Sequence, residues 1–167
     1  MNDRKFKVLV TKQQLTFSAA HFITFGDNIC ESLHGHNYSV RCEVLGALNE
    51  HGYVADFIAL RDCLFQITRE MDHKVLLPTK HPTINVSTQA GEVTATFDER
   101  RWLFPKNDCL MLPVTNTTAE LLASYIADRM IAVKTSWATP EIETLSVGVD
   151  ENQGQWGTCD LTLRSQG

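Results

Sequence analysis

Two runs of alternating apolar and polar positions open the chain, and two stretches with helical spacing follow. Residues from Phe6 to Phe17 are rich in Val, Leu, Thr and Phe, and after a loop around Gly26 and Asp27 a second such run extends from His36 to Leu45. In the second run His34, His36, Tyr38, Val40, Cys42 and Val44 share one parity, while Arg41 and Glu43 take the other. A period of two separates a buried face from a wetter one, so both histidines fall on the apolar side of a strand. The two runs are expected to form antiparallel strands.

Asp56 then stands as an N-cap before Phe57, Leu60, Cys63, Leu64 and Ile67, whose spacings of three and four predict a helix that ends at Pro78 at the latest. A second helix is expected from Asn116, Thr117 and Thr118 onward, through Leu121, Leu122, Tyr125, Ile126 and Met130. There Thr117 and Glu120 have capping-box spacing. Ile142 to Val149 and Gln155 to Leu163 read as two closing strands around the turn-prone Asn152, Gln153 and Gly154. Between the helices, Ile84 to Thr88 and Val93 to Phe97 flank Ala90 and Gly91 and predict an inserted hairpin, within a segment of about residues 79–112. The order is that of an α+β domain on an antiparallel sheet, one domain over 1–167, with no repeat or linker to divide it.

Composition narrows the function classes. A net charge of -5 and a pI near 5.6 disfavour a nucleic-acid scaffold, which needs a concentrated basic surface. No stretch approaches the roughly 18 apolar residues of a membrane span, and the polar start lacks the apolar core of a signal peptide, so a cytoplasmic protein is expected. The five cysteines form no CxxC pair and are odd in number, which suits free thiols in a reducing compartment.

The densest chemical signal is His34-Gly35-His36 with His21 upstream. An i, i+2 pair on a strand points two imidazoles to one side, and a third from the neighbouring strand completes a three-nitrogen site of the kind that holds catalytic zinc with one open position. Spacing alone equally allows other divalent metals, or ordinary strand histidines satisfied by hydrogen bonds. Cys30 and Glu31 lie just before this motif and are two candidate proton acceptors; alone they read as a packed thiol and a solvated charge. Cys42, Cys63 and Cys159 are expected to pack, and His51 and His81 to sit at the surface. Asp72 and His73 are a possible proton relay or simply the end of a helix, and Glu151 closes a strand where a carboxylate can pair with an amino-pyrimidine ring.

Six segments in one order carry a resemblance. They are Phe17-Ser18-Ala19-Ala20-His21, Cys30-x-x-x-His34-Gly35-His36-Asn37-Tyr38, Val54-Ala55-Asp56-Phe57, Met71-Asp72-His73-Lys74, Asn116-Thr117-Thr118-Ala119-Glu120, and Val147-Gly148-Val149-Asp150-Glu151. Together they resemble the 6-pyruvoyltetrahydropterin synthase and 6-carboxytetrahydropterin synthase family. The resemblance implies a tunnelling fold, with a four-stranded antiparallel sheet carrying two helices on one side. It implies trimers that close their sheets into a barrel and stack in pairs as homohexamers, with active sites between subunits. It further implies that His21, His34 and His36 bind Zn2+, that Cys30 is a general base served by Asp72 and His73, and that Glu151 anchors a pterin, with Thr118 near it. The substrate would be 7,8-dihydroneopterin triphosphate, and the partners no nucleic acid and no membrane.

Relatives divide on the base. A Cys four residues before the His-Gly-His motif resembles the 6-carboxytetrahydropterin synthases of queuosine biosynthesis. A Glu three residues before it resembles enzymes that cleave the side chain to 6-hydroxymethyl-7,8-dihydropterin for folate. Cys30 and Glu31 supply both, so the expected product is 6-carboxy-5,6,7,8-tetrahydropterin, with the folate-type cleavage or a dual activity second and the pyruvoyl product third. A metal-stabilised, non-catalytic pterin-binding protein is the reading from another class.

Overall fold

In chain order the elements begin with strands β1 (Phe6–His21), β2 (Thr24–Phe25), β3 (Ile29–Cys30) and β4 (His34–Gly46), and helix α1 (Phe57–Met71). Five short strands follow: β5 (Lys74–Pro78), β6 (Asn85–Gln89), β7 (Glu92–Phe97), β8 (Arg100–Pro105) and β9 (Cys109–Leu112). Helix α2 (Ala119–Ala132) and strands β10 (Ile142–Asp150) and β11 (Trp156–Thr162) come last. The structure, a computed structural model, describes residues 4–26 and 29–163; Asp27 of the expected first loop lies outside them.

The main sheet has the order β11-β10-β4-β1-β5-β9. Its first four strands are antiparallel, as the pattern predicts, but β5 and β9 extend it in parallel, so the sheet has six strands rather than four. The α1 helix ends at Met71, and β5 starts only three residues later. This strand shows no alternation because both of its faces are covered. Leu76 packs into the main core, and its neighbour Leu77 into a second one.

That second core belongs to the inserted segment, which is a three-stranded antiparallel sheet, β6-β7-β8, rather than a hairpin. Its third strand escapes the sequence pattern because Arg100 and Arg101 open it and Pro105 closes it. Val93, Ala95 and Phe97 from β7 meet Ile84, Leu77 and Phe22, so the insertion is packed onto the residue that follows His21.

A bulge in β1 sets the side on which His21 emerges. Val8 and Val10 are buried with even parity, whereas Leu15, Phe17, Ala19 and His21 are buried with odd parity. The β1–β4 register jumps from Thr11↔Arg41 to Thr16↔Ser39, and the three extra residues on β1 reverse its phase. An unbroken strand would turn His21 away from the core. On β4 no such break occurs, and Tyr38, Val40, Cys42 and Val44 are all buried as predicted.

Both helices pack into the main core, α1 on β1 and α2 on β10 and β11. Leu60, Leu64, Ile67 and Met71 form the buried stripe of α1, while Phe57, expected with them, is 58% exposed in the first turn. Gly157 on β11 lets α2 approach closely, since a Cβ there would lie 2.5 Å from the Glu120 nitrogen. Asp56 caps α1 as expected, accepting from the backbone N–H of Ile58 at 2.7 Å and of Ala59 at 3.2 Å. Asp56→Ala should therefore lower stability by about 1 kcal/mol, seen as an earlier denaturant midpoint with an unchanged slope. The N-cap of α2 is Thr118, not Thr117, and its side chain makes no capping bond. Thr117 is fully buried, and its hydroxyl donates instead to the Phe22 carbonyl.

Candidate functional site

His21, at the end of β1, pairs in register with His34 at the start of β4, and Ala19 with His36. Gly35 between the two β4 histidines keeps β1 close, since a Cβ there would already be 3.2 Å from the Ala19 carbonyl oxygen. The three imidazoles thus meet on one side of the strand pair. Their ring centroids are 4.7 Å (His21–His34), 5.2 Å (His21–His36) and 4.8 Å (His34–His36) apart.

Each outer bond decides which ring nitrogen faces inward. A backbone carbonyl only accepts, so His21 Nδ1 donates to the Thr117 carbonyl at 2.9 Å and His34 Nδ1 to the Ser32 carbonyl at 2.8 Å. This leaves Nε2 of both as a bare lone pair when the rings are neutral. His21 Nε2 is buried without a hydrogen-bond partner and stands 3.2 Å from Glu151 Oε1, one acceptor facing another. The same Oε1 is 3.7 Å from His36 Nε2. Burial pushes the His36 imidazole down from its usual value, against the upward pull of Glu151. A hydrogen bond from a protonated His21 Nε2 would hold the Glu151 carboxyl below the usual carboxylate range against the cost of burial, and a cation in that proton's place acts in the same direction.

Two bare Nε2 lone pairs converging with a carboxylate call for a cation. The ligand atoms of His21, His34 and His36 lie within 4.8 Å of one another, which small side-chain shifts bring to a single ion about 2.0–2.1 Å from each nitrogen. The residues therefore fit a metal, and Thr117 and Ser32 are the outer partners that orient its ligands.

Glu31 joins this cluster, with Oε2 3.8 Å from His34 Nε2. Cys30 precedes it on β3, partly buried against the second core. Burial pushes its thiol up, Arg100 pulls it back, and Glu31 and Asp98 push it up again. Asp72 and His73 are paired at 2.9 Å, and Asp72 Oδ1 accepts from the Ser18 N–H at 2.8 Å, the bond that most lowers its pKa. His73 has a positive φ of 58° and an exposed side chain. It borders, with Ser18, Asn37 and His36, a cleft of about 500 Å³. Among the described residues no hydrogen bond or ring contact joins His73 to the three imidazoles. Thr118 stays at the start of α2, where its carbonyl receives the Leu122 N–H.

Sequence reasoning passed over several contributors. Tyr38 is fully buried beside the cluster, its ring 5.9 Å from His21 and 5.6 Å from His36, and its hydroxyl has no hydrogen-bond partner. Burial and the neighbouring Glu151 push this phenol far up. Its parity with His34 and His36 was the available signal. His81, expected at the surface, is half-buried. Its Nδ1 accepts from the N–H groups of Thr83 and Ile84, so Nε2 donates to Thr24 Oγ1 at 2.7 Å. Asn116 clasps the same residue, donating to the Thr24 carbonyl at 2.8 Å. His51 is exposed as expected, and the buried Cys42 and half-buried Cys63 and Cys159 pack against the main core.

Residues 10–161 match the family described as 6-pyruvoyl tetrahydropterin synthase. A Methanocaldococcus jannaschii protein provisionally named 6-carboxy-5,6,7,8-tetrahydropterin synthase is 31% identical over 146 residues, 87% of this chain and 88% of its own. A Pyrococcus furiosus protein named dihydroneopterin monophosphate aldolase is 36% identical over a shorter span of 61 residues, 36% of this chain and 51% of its own. Among solved structures, 6-pyruvoyl tetrahydropterin synthase from Plasmodium vivax superposes with a TM-score of 0.87 at 28% identity, covering 96% of this chain and all of that one. A second structure of that protein is of a variant in which a glutamate termed a catalytic residue is replaced by alanine.

Proposed function

The chain belongs to the 6-pyruvoyl tetrahydropterin synthase family, and on that premise we propose that it is a zinc-dependent lyase acting on 7,8-dihydroneopterin triphosphate, with 6-carboxy-5,6,7,8-tetrahydropterin as its main product. The observation that carries this reading is the convergence of the Nε2 lone pairs of His21 and His34 with His36 and Glu151, with Glu31 beside His34 and Cys30 next to Glu31 in the chain. His21, His34 and His36 would hold the zinc, which when bound polarises the side-chain oxygens of the substrate and makes its carbon-bound protons easier to remove.

The remaining steps fall to the chain's own groups. Cys30 and Glu31, adjacent on one loop, are the acceptors for those protons. The Asp72–His73 pair returns a proton from the cleft bordered by His36, Asp72 holding the imidazole by its Nδ1. Glu151 anchors the amino-pyrimidine edge of the pterin, for which an ionised carboxylate is the fitting acceptor. Thr118 lies close to that ring. The exposed Leu9, Phe57 and Ile58 support an assembly of several subunits, as the hexamer of the family requires. The acidic composition supports a protein that does not bind nucleic acid, and the free cysteines support a reducing, cytoplasmic compartment. No helix among the described residues is long and apolar enough to cross a membrane.

A second reading has an observation of its own. Glu31 reaches the cluster directly, and relatives include a protein named as an aldolase and one whose catalytic residue is a glutamate. Cleavage to 6-hydroxymethyl-7,8-dihydropterin is therefore the expected minor product. Incubating zinc-loaded protein with 7,8-dihydroneopterin triphosphate and resolving products by mass spectrometry tests both. The expected result is mainly the 6-carboxy product with acetaldehyde and triphosphate. The hydroxymethyl compound alone would move the protein to the second reading, and no turnover with zinc bound would reject both.

A further inference from the structure

The peptide that links the two candidate bases is held at both edges. Its N–H, from Glu31, donates to the Ile23 carbonyl at 3.0 Å, and its carbonyl, from Cys30, accepts from Arg100 Nη1 at 2.7 Å. A trans peptide is planar, so bonds on opposite edges fix its rotation, and with it the directions in which the Cys30 and Glu31 side chains leave it. The first of these bonds is local to the loop. The second comes from β8, at the far end of the inserted sheet.

Arg100 is itself prepared for this contact. Its guanidinium lies over the Trp102 ring, 4.7 Å from the centroid, and Trp102 stacks on Phe22 at 4.3 Å with the rings inclined by 14°. Phe22 is fully buried and directly follows His21. Through this stack the inserted sheet is braced against the strand that carries one imidazole, while through Arg100 it grips the loop that carries both bases. A planar guanidinium stacked on an aromatic face loses little further freedom when it donates.

We propose that Arg100 is a positioning residue that fixes the Cys30–Glu31 peptide plane and so sets which of the two side chains takes the substrate proton. The inserted sheet then acts on product choice through the Cys30–Glu31 peptide. The inference rests on the reading of Cys30 and Glu31 as bases. The charge of Arg100 also opposes the upward push of burial on the Cys30 thiol.

The test compares Arg100→Met, which keeps an apolar chain over Trp102 but has no donor, with Arg100→Lys, which can still donate to the Cys30 carbonyl. Zinc content, KM and product-resolved kcat are measured on the zinc-loaded protein. Arg100→Met is expected to retain zinc and a KM within about twofold, to lose about tenfold in kcat for the 6-carboxy product, and to shift the product ratio towards the hydroxymethyl compound. Arg100→Lys should recover part of that loss. Unchanged kcat and product ratio in Arg100→Met overturn the proposal, as does a loss that follows zinc content or appears in KM alone. Should Arg100→Met not fold, Arg100→Leu, which also lacks a donor, is judged by the same criteria. Cys30→Ala and Glu31→Gln run in parallel separate the two levels. If neither alters turnover, the base assignment fails; if they do and Arg100 variants do not, only the positioning role fails.

Discussion

His34→Ala is expected to leave the protein folded, without bound metal and without measurable turnover. The side chain of His34 is 38% exposed, so its removal opens no core cavity, in contrast to His21, which is buried at 1%. What it does remove is one of three nitrogen donors, already oriented by the Ser32 carbonyl. Loss of an orienting partner alone typically costs about 10–100-fold in metal affinity, and loss of the donor itself should exceed that. Metal analysis of the purified variant should find less than about a tenth of the wild-type zinc per subunit. The same loss should follow chelator treatment of the wild-type protein and be reversed by added zinc. Metal affinity should also fall as pH drops, because protons compete for the same Nε2 lone pairs. Burial lowers the His36 pKa and carries that site to a lower pH before it protonates. Full zinc occupancy in His34→Ala would place the metal elsewhere.

The histidine site was legible because β4 keeps one phase. His34, His36, Tyr38 and Val40 alternate without interruption, and period two is enough to put both imidazoles on the core side. His21 was legible as the upstream histidine on the expected neighbouring strand, but the side on which it emerges was not, because the bulge between Thr11 and Thr16 reverses the phase of β1 and no local alternation predicts that. The Asp56 cap was readable, since an N-cap needs only its own side chain and the next two or three amides. Thr117 misled for the converse reason. Its hydroxyl and carbonyl are committed to Phe22 and His21, almost a hundred residues away in sequence, and such tertiary partners override capping-box spacing.

The inserted sheet was the least legible part. Leu76 and Leu77 face different cores, a fact hidden in an apolar run of this length, and β8 begins with two arginines. Charges at a strand end read as a solvated turn. Here one of them reaches a carbonyl 70 residues earlier, and its neighbour Trp102 stacks on Phe22. Spacing rules describe neighbours along the chain, so a contact of this kind becomes visible only when both cores are assembled.

Cys30→Ala carries the other large expected effect, a fall of about 10²–10⁴-fold in kcat for the 6-carboxy product with zinc and substrate binding retained. The range is what a positioned general base contributes, and the zinc should stay because its three imidazoles do not depend on the thiol. Glu31→Gln should act on the other branch, removing the hydroxymethyl product while leaving the 6-carboxy product within a few-fold. In the wild-type protein the Cys30-dependent rate should rise towards alkaline pH, because the thiolate is the base and burial raises the pKa at which it forms. The Glu31-dependent rate should lack that rise. Product-resolved pH profiles of the three proteins therefore assign each branch to its base. If Cys30→Ala retained wild-type kcat for the 6-carboxy product across the profile, Glu31 would be the base for both products, and the thiol would serve only to pack β3 against the inserted sheet.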